Sequence, residues 1–171
     1  MAISLTSSVT LGFLVGLFRV TSFNKMKSVQ EKMNMVQNSY IVAVLSTIGL
    51  AACGVDGISK IVGGGTTTIL AAITVLAGLI ASSISFQFYQ LPLVVSSTVF
   101  PESISVALSL TDAIGFLVTS MIMGLNSFVL GSFGWSTSWS FMALIFTFGG
   151  VSMTRALRPV FEKTTKAQRR Q

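Results

Sequence analysis

From Thr66 to Pro101 the chain holds no Lys, Arg, Asp or Glu. A run of that length needs a solvent that does not demand charge, and it constrains the fold more than any other feature. Its apolar residues form a continuous block rather than an amphipathic stripe. Blocks of about 20 or more recur along the 171 residues, the length a helix needs to cross a bilayer core. Composition agrees: 9% of residues are charged, where an ordinary soluble domain has about 25%, and 51% are hydrophobic, with a mean hydropathy of +0.80. No water-facing surface can be assembled from that supply. The expected fold class is an all-α membrane protein with about five transmembrane helices.

The same composition removes several function classes. The chain has no histidine, which takes away the commonest general base and metal ligand. Cys53 is the lone cysteine and reads as a small buried hydrophobe without a disulfide partner. Asp112 has no second carboxylate within the spans to pair with, so no enzyme chemistry, metal or cofactor is expected. A net charge of +6 is compatible with nucleic acid, but the basic residues flank apolar spans without aromatic interleaving, so no nucleic-acid partner is expected. The opening residues lack the positive start and small-residue cleavage site of a secretory signal and read as a mature span. GGGTTT at 63–68 lacks the lysine of a phosphate loop.

Charge punctuates the chain into spans of about 3–19, 38–55, 66–98, 103–130 and 135–154, followed by a basic tail, 156–171. Residues 20–34, with Lys25, Lys27, Glu31 and Lys32, read as a solvated loop. Asp56, Gly57 and Lys60 close the second span, and the glycines at 63–65 read as a turn. Residues 69–100 would measure about 48 Å as helix, more than one bilayer core of about 30 Å but short of two crossings. One tilted span, bent at Pro92, is the expectation. Ten of the eleven basic residues then fall in two places, Arg19 to Lys32 and Arg155 to Arg170. Four spans separate these places, so both lie on one side, the cytoplasmic or an equivalent face, as the positive-inside rule requires. Trp135, Trp139 and Tyr40, near span ends, read as interface anchors.

From Leu76 onward the order of features resembles the last helices of the major facilitator superfamily. The residues that carry this are LAGLIASSISFQFYQLPLVVSSTVFPES, a long helix closing on Phe100-Pro101-Glu102; then SVALSLTDAIGFLVTSMIMGL, rich in small residues; then FGW at 133–135, opening the last helix. The five spans are similar in order to that family's helices eight to twelve. The resemblance implies transport of a small solute by alternating access, with the substrate held near the bilayer midplane between two helical halves. It also implies partners: the missing N-terminal helical half, or other membrane subunits. The competing expectation is a non-transporting structural subunit of a larger membrane complex.

Asp112 lies ten residues past Glu102, about 15 Å of helix, and so near mid-membrane. A charge there costs about 2.5–3.5 kcal/mol on insertion scales, and such residues ordinarily face water or a partner. Asp112, Gly115, Thr119, Met123 and Asn126 form one helical stripe, polar and small as a cavity wall would be. Two roles are open to the carboxyl: contact with substrate or a coupling proton, which the resemblance implies, or a hydrogen bond to a neighbouring helix. Gln87, Tyr89 and Gln90 on the long third span are further substrate candidates, again with bonding between helices as the alternative. Gly12 and Gly16 make a GxxxG pair suited to close helix packing, and Gly115 is a third packing candidate.

Overall fold

The computed structural model describes residues 2–26, 28–54 and 66–168, with side chains described at all of these except 2, 3, 66, 89 and 164–168. Every regular element among them is α-helical: α1 (Ala2–Lys25), α2 (Val29–Cys53), α3 (Thr66–Val99) and α4 (Ile104–Gln168). All four are long and apolar enough to cross a membrane. The polar closure expected at 56–60 and the turn at 63–65 lie outside the described residues.

The expected loop at 20–34 is mostly helix. α1 runs on to Lys25 and α2 starts at Val29, with Ser28 as its extended N-cap residue. Lys32 and Met33 are buried. Charge marks where a chain leaves lipid, not where its helix stops; the polar turns here remain helical because they pack on their neighbours. Lys32 lies with its Nζ 5.6 Å from the Phe23 ring centre, and the Arg19 guanidinium lies 5.7 Å from that of Phe86. Aromatic faces thus take the place of some of the lost water.

α3 is one helix of 34 residues that passes through Pro92, about 51 Å long. α4 covers 65 residues but is not straight: Gly134 interrupts it at φ 82°, ψ −177°. In practice that backbone region is open only to glycine. The Ser138 hydroxyl donates to Asn126 Oδ1 at 2.9 Å, whereas 12 residues of straight helix would separate the two by about 18 Å. α4 therefore folds back at Gly134 into a first arm, 104–133, and a second arm, 135–168.

Contacts give the helix directions. Along α1 and α3, Ser8 donates to the Thr74 carbonyl, Gly12 faces Gly78 and Ala81, Gly16 faces Ser82 and Ser85, and Gln90 donates to Asn24. Residue numbers rise together, so these two helices are parallel. α2 opposes both: Gly49 meets Leu76 near its end, while Met33 and Val36, near its start, share a core with Phe86 and Leu91. The second arm of α4 opposes α2 in turn, with Trp135 and Ser136 donating to the carbonyls of Leu50 and Ala51 and Gly150 against Tyr40. Leu157 and Phe161 complete the core, where Phe23 stacks edge-on against Phe86 and at a tilt against Phe161. The link between α1 and α2 and the last turns of α4 thus sit at the same end of the bundle.

The buried polar groups are mainly small hydroxyls, such as Ser39, Thr47 and Ser83. Each donates to the carbonyl four residues back, at 2.9 to 3.0 Å. A hydroxyl satisfied within its own helix needs no water, which suits helices of membrane-span character.

Candidate functional site

Asp112 lies on the first arm of α4, and every residue from 109 to 121 on that arm is exposed. A Cβ at Gly115, Gly124 or Gly131 would meet nothing within 4 Å. No described helix covers this arm as α1 and α3 cover each other. The link to α3 comes from the face that carries the stripe. Phe116, one turn beyond Asp112, meets Phe88 with ring centres 6.3 Å apart.

The remaining stripe residues divide. Thr119 is exposed. Asn126 is half-buried and engaged by Ser138 across the Gly134 bend, so its amide oxygen serves the fold of α4. On α3, Gln90 is buried and donates to Asn24 Oδ1 at 2.8 Å, tying α3 to α1. Gln87 is half-buried. The Tyr89 side chain is outside the described residues. Gln90 and Asp112 thus belong to different surroundings, one inside the packed bundle and one on its uncovered arm.

Gly12 and Gly16 lie in the α1–α3 contact. A Cβ on Gly12 would overlap the Gly78 carbonyl oxygen, and one on Gly16 would overlap the Ser85 hydroxyl. Their counterpart in α3 is Gly78, set against Ser8. Gly115, grouped with them in sequence, has no such contact. Among the described residues no cluster of His, Cys, Asp or Glu has the arrangement to hold a metal ion.

One concavity had no counterpart in the sequence reading. A groove of about 470 Å³ runs between α2 and the second arm of α4. Its floor and walls are mainly apolar, while Gln37, Tyr40, Thr147, Thr154 and Arg155 contribute polar groups, three of them at one end. Arg155 reads from sequence only as a mark of topology. Its groove becomes visible once the lining residues of α2 and α4, more than 100 positions apart in the chain, are brought together. Comparison with protein-family models, with curated proteins and with solved structures gives no match to this chain.

Proposed function

We propose that this chain is a multi-pass membrane protein that crosses the bilayer five times, the two arms of α4 counting separately, and forms the C-terminal portion of a secondary transporter for a small solute. The observation that carries the reading is the uncovered first arm of α4. It holds a carboxylate, Asp112, that is exposed together with Gly115 and Thr119 of the same stripe, with open space around Gly115, while Phe116 and Asn126 make the contacts to α3 and to the second arm. A carboxylate facing lipid tails is penalised, so an arm of this kind borders water or further helices. Alternating access supplies both, because the path for solute runs between two helical halves. Asp112 then binds substrate or carries the coupling proton, and Gln87 lies on the neighbouring helix.

A structural subunit of a larger membrane complex is the second reading. The open space around Gly115, Gly124 and Gly131 favours it, since small residues allow another helix to approach closely. Thiol labelling separates the two without knowledge of the substrate. In a Cys53→Ser background, single cysteines at 112, 115 and 119 are compared with cysteines at 114 and 121 on the opposite face, using a water-soluble reagent on membranes. Transport predicts fast labelling at the first three and slow labelling at the last two. A structural subunit predicts slow labelling at all five, with crosslinks from position 115 to another helix.

A further inference from the structure

The groove between α2 and the second arm of α4 has a definite place in the bilayer if that arm crosses it, as the reading above holds. Trp135 stands at one end of the arm and Arg155 is 20 residues on, about 30 Å of helix and so one hydrocarbon thickness. Arg155 therefore stands at headgroup level, at the end of the bundle where Lys25 and Arg158 are also exposed. From Arg155 the groove runs inward to Phe146, and along α2 from Gln37 to Leu45. Both paths measure about 12–14 Å, close to the depth of one leaflet.

Its chemistry changes along that depth. Gln37, Thr154 and Arg155 gather at the mouth, with Tyr40 one turn below. Below them Ile41, Val44, Leu45, Phe146 and Val151 offer hydrocarbon, and the Thr147 hydroxyl is satisfied within its own helix, donating to the Ala143 carbonyl at 2.8 Å. Gly150, buried against the Tyr40 ring, lets the two helices approach closely there. Among the described residues Gln37, Tyr40, Thr154 and Arg155 have no hydrogen-bond or ion-pair partner, and Arg155 is a free cation. Arg158, one turn on, is paired with Glu162 at 3.5 Å.

We propose that this groove binds one anionic phospholipid, with its phosphate on Arg155, hydrogen bonds from Gln37 and Thr154, and an acyl chain lying along Val44, Leu45 and Phe146. A cation at headgroup height, polar groups beside it and an apolar channel of leaflet depth beneath match the three parts of such a molecule in order. The sign of the charge selects an anionic headgroup over a zwitterionic one.

The test uses the full chain, purified in detergent and offered phosphatidylglycerol or phosphatidylcholine with identical acyl chains, with retained lipid counted by native mass spectrometry. One phosphatidylglycerol is expected to remain bound where phosphatidylcholine is lost. Arg155→Gln is expected to weaken its retention about tenfold, the range of one charge-assisted contact. Val44→Trp, which fills the channel, abolishes retention. Arg158→Gln removes the same charge outside the groove and leaves retention unchanged. Equal retention of the two lipids, or equal loss in Arg155→Gln and Arg158→Gln, overturns the proposal. So does full displacement by inorganic phosphate, which would make this a free-anion site, or a change of oligomeric state in Val44→Trp with no lipid retained by the wild type, which would make it an interface between copies. Release of the chain from membranes by alkaline carbonate without detergent would overturn the membrane reading itself, and the groove proposal with it.

Discussion

At the scale of single residues, the contrast between Gly16 and Gly115 carries the most information. Both are helical glycines that a pattern search groups together, yet one touches Ser85 and the other touches nothing. Gly16→Leu is expected to destabilise the bundle by about 1–3 kcal/mol, the usual cost of forced overpacking. Gly115→Ala should cause no loss and has up to about 1 kcal/mol of helix propensity to gain. Reversible unfolding in mixed micelles measures both, and equal effects would refute the packing described for α1 and α3. The Asn24–Gln90 hydrogen bond makes a second test. A double-mutant cycle to alanine should give a coupling of about 0.6 kcal/mol and no more than about 1.7, the range measured between membrane helices. The GxxxG spacing was legible in the sequence because it is local. The partner of Gln90 was not, because Asn24 lies 66 residues away and no periodicity points to it.

Elements were partly legible. The apolar blocks fall on each of the described helices, and the change of character around Phe133–Trp135 falls at the bend in α4. What the residues did not reveal is the device that separates them, a single glycine at positive φ rather than a loop. Spin labels at 120 and 140 would lie about 30 Å apart on a straight helix; the folded-back α4 predicts a much shorter distance. Gly134→Ala forces a residue with a Cβ into a region costing about 1–3 kcal/mol. It should broaden the distribution toward the straight-helix value, and an unchanged sharp distance would show that the bend does not depend on this glycine. The helix ends at 20–34 were misread for a related reason. Hydropathy reports the transfer of side chains into lipid, whereas helix continuation depends on backbone bonds, which persist beyond the membrane wherever neighbouring helices support them.

For the whole molecule, the parallel and antiparallel pairings bring the α1–α2 link and the far end of α4 to one end of the bundle, and the starts of α1, α3 and the second arm to the other. Together with the basic residues at the first end, this predicts sidedness. In a Cys53→Ser background, cysteines at Ser28 and Glu162 should react with an impermeant reagent from the same side of sealed vesicles, and one at Thr67 from the opposite side. Labelling of 28 and 162 from opposite sides would remove both the five-crossing arrangement and the transporter reading built on it.

The sequence by itself determined the helical class, the length and membrane-span character of the apolar blocks and the clustering of positive charge, because each is a sum over neighbouring residues. Only the tertiary structure decided that Gln90 faces Asn24, that Asp112 stands in a stretch of α4 exposed from 109 to 121, and that Arg155 opens onto a groove. The physical reason is general for apolar helices in a bilayer. Its tails are as apolar as leucine, so hydrophobicity brings a helix into the bilayer without choosing its neighbour. That choice falls to small-residue fits and scattered hydrogen bonds between segments distant in the chain, such as Gly12 on Gly78 and Trp135 on Leu50.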